Sequence, residues 1–338
     1  MLESQIAAVK SYLSQPKKIV IVVHKNPDGD AIGSGLGLKH FLQKQNHDVN
    51  LIVPNEYPKF LKWVPGNKDI VNYEWENGKS KGLIQTADLI FTLDFNHFSR
   101  TGAMQTDLEK ASADFIMIDH HQQPDDYAKV TYSDVSMSST CEMVYNFIEA
   151  LDGLPAIDEA IASCLYTGIM TDTGSFKFAS TTSRTHRVVA DLIDKGAKNT
   201  LIHQSVFDSN SFSRLQLLGI ALNNLTVNED LRTAYTFLSQ DELNKHSFSK
   251  GDTEGFVNYG LTLENVIFAV IFIENKDENI IKISFRSIGD FSVNEFARAH
   301  FNGGGHNNAA GGRSDDNLQK TIDKFVALLP QYKEQLTK

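Results

Sequence analysis

The chain has 338 residues, of which 41% are hydrophobic and 22% are charged, and its formal net charge is −10. This composition is typical of a soluble globular protein with two domains, and it excludes the disordered, collagen-like and coiled-coil classes. The negative charge argues against nonspecific binding of long nucleic acids, which depends on Lys and Arg. A small anionic substrate is still compatible with it, because carboxylates that hold divalent cations are neutralised when the metal binds.

Three features bear on the compartment. The two cysteines, Cys141 and Cys164, lie in apolar helical patterns, which predicts reduced core thiols rather than a disulfide. The N-terminus lacks the basic start and apolar stretch of a secretory signal. The longest apolar run, Val266–Ile273, is far shorter than a membrane span and predicts a buried strand. We therefore expect a cytoplasmic protein with no membrane association.

Short β-branched runs alternate with helical patterns in the first half of the chain. Strands buried on both faces are predicted over Ile19–Val23, Val49–Val53, Leu89–Leu93 and Phe115–Ile118. The segment Ala31–Gln45 between the first two strands predicts a helix. This alternation predicts an α/β fold with a doubly wound parallel sheet.

Helical patterns continue over Cys141–Ala150, Ile157–Gly168 and Arg184–Lys195, and Gly196 predicts the end of the last helix. We therefore place the first domain at residues 1–196. A change of pattern near residue 197 predicts a helical connector over residues 197–228. Its main helix begins at Ser211 and has one apolar face, which we expect to pack against one or both domains. The residues of that face are Phe212, Leu215, Leu218, Leu222 and Leu225.

Strand-like runs reappear after the connector, over Ala234–Leu238, Val266–Ile273 and Ile280–Phe285. The segment Leu318–Leu336 predicts a C-terminal helix. We therefore expect a second, smaller α/β domain at residues 229–338.

Four clusters of candidate metal ligands occur in the first domain, and three of them directly follow predicted strands. Their members are His24, Asp28 and Asp30; Asp94; Asp119, His120 and His121; and Asp172. Because ligands bind outside the carboxyl ends of parallel strands, we expect the first three clusters to converge at one sheet edge. Asp172 must join them from a later loop. Together they predict a hydrolytic metalloenzyme.

Three of the clusters have a structural alternative when they are taken alone. Asp28-Gly29-Asp30 is a turn sequence, Asp94 is compatible with a helix cap, and Asp172 with a solvated loop. The recurrence of acidic residues at successive strand ends favours the metal site. Because no cysteine belongs to the set, a structural zinc site is disfavoured. Oxygen and imidazole ligands favour Mn²⁺, with Mg²⁺ as the alternative.

These motifs resemble those of the DHH phosphoesterase superfamily: His24 to Ser34, Asp94, Asp119-His120-His121 and Thr171 to Gly174. The segment Phe301–Gly312, with Ser284 to Ser287 before it, resembles the glycine-rich motif of the DHHA1 domain. The resemblance covers nearly the whole chain. It is strongest to the group of compact enzymes that act as nanoRNases and pAp phosphatases.

The resemblance implies a set of metal ligands. One ion would be held by His24, Asp28 and Asp94, and a second by Asp30, Asp94, His120 and Asp172, so that Asp94 bridges the two. His121 would lie next to the metals or the scissile phosphate, and Asp119 would orient the histidines. Two such cations would acidify a water molecule and neutralise the phosphoryl oxygens, with no covalent intermediate.

The DHHA1-like segment implies a phosphate-binding site. Gly303, Gly304 and Gly305 would let backbone amides approach a phosphate, although a flexible loop is the alternative for such a run. Arg286, Ser287 and His306 would contact the phosphate, and Arg286 suits a bidentate contact. The sequence departs from the common pattern at Asn302 and Asn307.

Three other residues have open interpretations. Arg100, in Ser99-Arg100-Thr101-Gly102, matches an arginine that follows the bridging aspartate in related sequences and would bind substrate; a surface ion pair is the alternative. Phe176 and Phe178 could stack on a base, but core packing is the commoner use of phenylalanine.

The function predicted from these features is Mn²⁺-dependent hydrolysis of short single-stranded RNA to mononucleotides and of adenosine 3′,5′-bisphosphate to AMP. An interdomain cleft that measures the distance from a terminal phosphate to the cut would favour small substrates. The nearest alternative is hydrolysis of cyclic di-AMP or linear pApA. A RecJ-like exonuclease would carry further nucleic-acid-binding modules, and the C-terminal glycine motif points away from a family II pyrophosphatase.

An alternative of a different class is a nonhydrolytic nucleotide-binding sensor, which predicts lost metal ligands, and none is missing. The physiological substrate, the cleavage polarity and the metal used in the cell remain open. Homodimerisation through the larger domain also remains open.

Overall fold

A computed structural model describes residues 2–249 and 251–338. The chain forms two compact units, Met1–Ser209 and Asn210–Lys338, which we call unit 1 and unit 2. Unit 1 contains one six-stranded sheet and unit 2 contains another. The α/β architecture predicted from the sequence is confirmed.

The sheet of unit 1 is parallel throughout and is buried on both faces. Its strands are β1 Lys18–Val22, β2 Asp48–Val53, β3 Val71–Asn72, β4 Leu89–Leu93, β5 Asp114–Asp119 and β6 Val130–Ser133. The spatial order is β3-β2-β1-β4-β5-β6. The chain therefore builds outward from β1 in one direction and then from β4 in the other, so β1 and β4 flank the switch point where doubly wound sheets bind ligands.

Eight α-helices belong to the described part of unit 1. They are α1 Glu3–Tyr12, α2 Gly29–Lys44, α3 Asn77–Thr86, α4 Gln105–Glu109, α5 Thr140–Ala150, α6 Glu159–Asp172, α7 Ser183–Asp194 and α8 Asn199–Phe207. A 3₁₀ segment, Phe98–Met104, follows β4. One core lies between the sheet and α2, α5 and α6, and a smaller core covers the opposite face beneath α3 and α4.

Unit 2 has a mixed sheet with spatial order β11-β12-β10-β9-β8-β7, in which only β8 and β9 run parallel. Its strands are β7 Thr226–Asn228, β8 Thr233–Leu238, β9 Phe268–Asn275, β10 Ile280–Ser287, β11 Gly304–His306 and β12 Ala309–Ser314. Its helices are α9 Phe212–Asn223, α10 Gln240–Lys245, α11 Val293–His300, α12 Leu318–Leu328 and α13 Lys333–Leu336. A phenylalanine-rich core, including Phe268, Phe285, Phe296 and Phe325, lies on one face of the sheet.

Two helices differ from the sequence prediction in length or continuity. Helix α6 extends to Asp172, beyond its predicted end at Gly168, because the segment packs closely against α2. The predicted helix over Leu318–Leu336 is divided by a 3₁₀ segment at Leu329–Tyr332, since Pro330 cannot continue the α-helical hydrogen bonds.

None of the helices in residues 2–249 and 251–338 combines the length and apolar character needed to cross a bilayer.

Helix α9 buries a different face from the one we predicted. Leu217 and Ala221 are buried, whereas Phe212, Leu215 and Leu222 are exposed. Leu217 and Ala221 pack in a cluster with Leu238 and Phe256 of the same unit. Seven of the twelve residues of α9 are apolar, so either of two faces of the helix could be buried. Packing against the rest of unit 2 determines which face is buried. The connector over residues 197–228 remains a prediction.

Candidate metal centre and phosphate site

The carboxyl ends of β1, β4 and β5 bring the candidate metal ligands together. His24 lies two residues after β1, Asp94 directly follows β4, and His120 directly follows β5. These strands are adjacent in the sheet, so the three side chains share one edge at the switch point. All three are at least 93% buried.

Asp94 lies at the centre of this group. Its Oδ2 is 3.4 Å from Nε2 of His24, and its Oδ1 is 3.5 Å from Nε2 of His120. The backbone of Asp94 has a φ of +63°, a conformation that L-residues seldom adopt. Its amide nonetheless continues the sheet by donating to the carbonyl of Ile118 at 3.1 Å. The strained turn thus directs the carboxylate between two histidines.

Backbone carbonyls orient both histidines. His24 Nδ1 is 2.9 Å from the carbonyl oxygen of Lys25, and His120 Nδ1 is 3.3 Å from that of Met137. Because a carbonyl can only accept, each Nδ1 is the donor, and each Nε2 is directed at the carboxylates. When such a histidine is neutral, the lone pair of its Nε2 is available to a metal ion.

The N-terminus of α5 holds Asp30. The amides of Thr140 and Cys141 donate to its two carboxylate oxygens at 2.7 and 2.9 Å, and Asp30 is 1% exposed. Thr140 also donates from Oγ1 to Oδ1 of Asp94 at 3.0 Å. Sequence reasoning missed Thr140. Ser139 and Glu142, three residues apart, signal a helix start here, but nothing in the sequence shows that this start faces Asp30.

Close packing of α2 against α6 brings Asp172 to the same site. Asp172 Oδ2 is 3.6 Å from Nε2 of His120. A Cβ added to Gly168 of α6 would lie 2.1 Å from Sγ of Cys141 and 2.8 Å from Oδ1 of Asp30, so only glycine allows this approach. The expectation that Asp172 lies in a loop was wrong: it is the last residue of a helix.

Asp28 is at the exposed edge of the cluster. Its side chain is 54% exposed and its Oδ1 is 3.9 Å from Nε2 of His24. The same oxygen caps α2 by accepting from the amides of Asp30 and Ala31 at 3.0 and 3.1 Å. The helix therefore begins at Gly29, two residues earlier than predicted.

Asp119 and His121 form a hydrogen-bonded pair beside the cluster. His121 Nδ1 donates to Oδ1 of Asp119 at 2.7 Å, and the same nitrogen is 3.8 Å from Oδ1 of Asp94. The other Asp119 oxygen is fully buried and accepts no hydrogen bond from the described residues. An unbalanced carboxylate oxygen at this depth is costly unless a cation or polar group compensates it.

Crowding of the carboxylates shifts their pKa values in different directions. Burial and the negative charges of Asp94 and Asp172 raise the pKa of Asp30 well above its usual range. Burial also raises the pKa of Asp172, to about 6. Burial opposes ionisation of Asp94, but hydrogen bonding to His120 and His24 outweighs it and holds the pKa of Asp94 well below its usual range.

The negative charges of the same carboxylates raise the pKa values of His24 and His120. Burial disfavours the charged form of His24, yet its bonding to Asp94 and the charges of Asp28 and Asp94 raise its pKa to about 9. The pKa of His120 is also raised well above its usual range, against burial, by Asp94 and Asp172. Without metal, the protons on His24 and His120 offset part of the negative charge of the buried carboxylates. Divalent metal ions bound to the same side chains would offset it instead.

Three groups within unit 1 have ligand atoms close enough to hold an ion, with all atoms within 4.8 Å of one another. They are His24, Asp28 and Asp94; Asp30, His120 and Asp172; and Asp94, Asp119 and His121. All donors are oxygen or imidazole nitrogen, which suits Mn²⁺ or Mg²⁺ better than a soft ion. The residues present therefore fit bound divalent metal.

Arg100 belongs to the 3₁₀ segment after β4 and is exposed. Its carbonyl oxygen accepts from the amide of Lys25 at 2.7 Å, which ties this segment to the His24 loop. Its positive charge is near enough to lower the pKa of His24, although the carboxylates outweigh it. The structure thus places Arg100 beside His24, a candidate metal ligand.

In unit 2, Gly303 directly precedes strand β11, and Gly304 and Gly305 belong to it. Strand β11 pairs with β12. A Cβ at Gly303 would lie 2.0 Å from the carbonyl oxygen of Gly311, and one at Gly305 would lie 2.4 Å from that of Ala309. Their amides are also engaged, with Ala297 and Asn294 respectively. Packing therefore explains glycine at these two positions, where we expected phosphate approach to be the reason.

Gly304 differs from its neighbours. A Cβ there would meet only ordinary contacts, Nε of Arg298 and Oδ1 of Asn294, both at 3.5 Å. Protein packing therefore does not require glycine at this position, and room beside its backbone is available for a ligand. Arg298, an exposed residue of α11, was not predicted from sequence, because a single arginine on an amphipathic helix is commonly a solvated residue.

Arg286 and Ser287 end strand β10, and Arg286 pairs with Ala309 of β12. Nη1 of Arg286 donates to the carbonyl of Phe285 at 3.0 Å. The Ser287 hydroxyl is buried, donates to the carbonyl of Phe291 at 2.6 Å and accepts from Asn308. Ser287 therefore organises the neighbouring loops. His306, partly buried, ends β11.

Two family models match the chain. Residues 18–169 match the "DHH family, N-terminal domain", and residues 230–335 match the "DHHA1 domain". A Thermus thermophilus protein named bifunctional oligoribonuclease and PAP phosphatase NrnA is 31% identical over 87% of this chain and 83% of its own length. The chain therefore belongs to the DHH family, in its DHH/DHHA1 form. It is a metal-dependent hydrolase, as the sequence predicted.

Two further similarities broaden the comparison. A cyclic-di-AMP phosphodiesterase, GdpP of Bacillus subtilis, is 24% identical over 97% of this chain, which corresponds to 50% of the relative. A crystal structure described as an exopolyphosphatase-related protein from Bacteroides fragilis is 40% identical and has a TM-score of 0.96, covering 100% of this chain and 98% of that one. Together with the NrnA description, these descriptions name four different phosphate substrates: oligoribonucleotides, PAP, cyclic di-AMP and polyphosphate.

Proposed function

We propose that this protein is a Mn²⁺-dependent phosphoesterase that hydrolyses short oligoribonucleotides to mononucleotides and adenosine 3′,5′-bisphosphate to AMP. The observation that carries the proposal is the position of Asp94, with one oxygen toward His24 and the other toward His120. The similarity to the Thermus NrnA protein supports this choice of substrates.

In this proposal His24, Asp28 and Asp94 hold one ion. Asp30, Asp94, His120 and Asp172 hold a second, so that Asp94 is shared. When bound, such ions acidify a water molecule and neutralise charge on the phosphoryl group. Thr140 and Cys141 keep the Asp30 carboxylate in place with their amides. Mg²⁺ is the alternative ion.

Asp119 and His121 act together beside the metals. Asp119 holds Nδ1 of His121 at 2.7 Å, so the ring is fixed in orientation and its Nε2 is the atom assigned to the scissile phosphate. Arg100 provides a positive charge next to the His24 loop for the same phosphate.

Unit 2 binds a second phosphate of the substrate in this proposal. Arg286, Arg298 and His306 are its cationic or hydrogen-bonding contacts, and Gly304 leaves room for close approach. Ser287, Gly303 and Gly305 position the β11–β12 hairpin. The net charge of −10 disfavours long polymers.

The second candidate is hydrolysis of cyclic di-AMP or linear pApA at the same centre. It is favoured by the similarity to GdpP along 97% of this chain. Cyclic di-AMP and pApA are cleaved at a phosphodiester bond, as short RNA is, so relative rates distinguish the two candidates.

The test compares initial rates with Mn²⁺ on five substrates of equal concentration: a 5′-phosphorylated RNA of three residues, one of 24, adenosine 3′,5′-bisphosphate, linear pApA and cyclic di-AMP. We expect the three-residue RNA and the bisphosphate to be hydrolysed fastest. Equal rates on the long and short RNAs would contradict the proposal. Fastest turnover of cyclic di-AMP would favour the second candidate.

A further inference from the structure

Phe178 is an exposed aromatic ring close to the metal centre. Its side chain is 42% exposed, and it packs on Gly174, where an added Cβ would lie 2.6 Å from Cζ of the ring. Gly174 is two residues after Asp172, which faces His120. One side of the ring therefore rests on backbone beside a candidate metal ligand, and solvent reaches the remainder.

A rigid turn holds Phe178 in this place. Gly174, Ser175 and Phe176 have φ values of +57°, +60° and +66°, a run of left-handed residues that ordinary loops avoid. Thr173 organises the turn: its carbonyl accepts from the amides of Lys177 and Phe178 at 3.0 and 3.1 Å. Its hydroxyl also accepts from the amide of Phe176 at 3.0 Å.

The turn gives its two phenylalanines opposite environments. Phe176 is directed into the protein, with ring centroids 6.0 Å from Tyr166 and 5.8 Å from His186, and it packs against the main core of unit 1. Core packing therefore accounts for Phe176, as the sequence predicted. It does not account for Phe178, whose ring is left partly exposed by a strained turn.

We propose that Phe178 is a specificity residue that stacks on the nucleobase next to the phosphate being hydrolysed. An aromatic ring backed by glycine offers a flat face to any base, and such stacking is tolerant of base identity. The protein would then discriminate nucleotides from inorganic polyphosphate, which has no base. This inference rests on the proposed phosphoesterase function.

The test uses Phe178→Ala, Phe178→Leu and Phe178→Trp with Mn²⁺ on two substrates, pApA and an abasic analogue with the same phosphates and sugars. We expect Phe178→Ala and Phe178→Leu to raise KM for pApA by about 5- to 100-fold and to leave the abasic substrate unchanged. Phe178→Trp should retain wild-type KM. Trp75→Ala, which removes a 68% exposed aromatic of the same unit, is the control and should change neither substrate.

Three results would overturn the inference alone. One is an equal loss on pApA and the abasic substrate, and another is a wild-type KM for pApA in Phe178→Leu, which would indicate apolar packing. The third is a wild-type protein with equal KM for the two substrates. If the wild type hydrolyses neither substrate nor the short RNA, the proposed function fails first.

Discussion

Thr140 donates a hydrogen bond from its hydroxyl to Asp94 across 3.0 Å, while its amide donates to Asp30 across 2.7 Å. One residue at the start of α5 thus contacts two candidate metal ligands from different elements. Thr140 is completely buried, so this contact fixes their separation without access of solvent. The ligands are held in place by the fold even without metal.

Replacement of Thr140 by valine should therefore impair metal binding at little cost in packing. Valine keeps the shape but removes the hydroxyl, and a hydrogen bond to a charged group contributes about 1.5–3 kcal/mol. We expect the Mn²⁺ affinity and kcat/KM to fall about 10- to 100-fold, as measured by metal titration and steady-state rates. Thr140→Ser, which keeps the hydroxyl, is the control; equal behaviour of the two variants would contradict the assigned contact.

The α2–α6 packing gives a stability prediction. Gly168→Ala would place a methyl group 2.1 Å from Sγ of Cys141 and against Asp30, so we expect a loss of about 1–3 kcal/mol in the free energy of unfolding and a much weaker metal site. Gly82→Ala on α3 has no neighbour within 4 Å and should gain about 0.5–1 kcal/mol. Urea unfolding measures both. Similar midpoints for the two variants would rule out the close approach.

Metal binding should release protons. The metal-free pKa of His24 is about 9, so His24 is protonated at pH 7 and must lose its proton to bind an ion. We expect apparent Mn²⁺ affinity to rise with pH up to about 9, by about tenfold for each pH unit and each proton released. Calorimetry in buffers of different ionisation enthalpy measures the protons; a heat independent of the buffer would refute this prediction.

The same shifts predict how the metal-free protein responds to pH. Folding raises the pKa of His24 from 6.5 to about 9, so its stabilising contribution is complete below pH 6.5 and is lost as pH rises through 9. The raised pKa of Asp172, from 3.8 to about 6, also makes folding less favourable as its proton is lost. We expect the chelated protein to unfold at a lower temperature at pH 9 than at pH 6. Added Mn²⁺ should abolish or reverse that order.

Unit 2 should contribute to substrate binding and leave metal binding unchanged. Arg286→Ala and His306→Ala should each raise KM for adenosine 3′,5′-bisphosphate by about tenfold or more, because a charge-assisted phosphate contact is lost. The Mn²⁺ affinity should equal that of the wild type. A loss of metal in either variant would contradict the assignment of these residues to a phosphate site.

Substitutions of Gly303 and Gly304 should distinguish a packing role from a ligand-binding role. Gly304→Ala should fold normally and raise KM, since its Cβ would occupy only the space beside Arg298 and Asn294. Gly303→Ala should destabilise unit 2, because its Cβ would overlap the carbonyl of Gly311. Circular dichroism with thermal unfolding distinguishes them; an unstable Gly304→Ala protein would show that all three glycines are needed only for packing.

Strand-end residues were predictable from the sequence, because a doubly wound sheet has one edge at which ligands collect. His24, Asp94 and His120 meet there since their strands are neighbours. Thr140 and the α2–α6 approach were not predictable, because both depend on contacts between elements far apart in the chain. The sequence does not distinguish Phe176 from Phe178. Their different environments result from the left-handed turn at residues 174–176, which the sequence did not predict.

The most direct test of the central claim is the Mn²⁺-dependent rate of hydrolysis of a 5′-phosphorylated three-residue RNA by the wild type and by Asp94→Asn. Asparagine keeps the size of Asp94 but removes the charge between His24 and His120. We predict rapid hydrolysis by the wild type and a rate at least about 1000-fold lower for Asp94→Asn, in a protein that remains folded. Equal rates for the two proteins would contradict the assignment of Asp94 as the shared ligand of a catalytic metal centre.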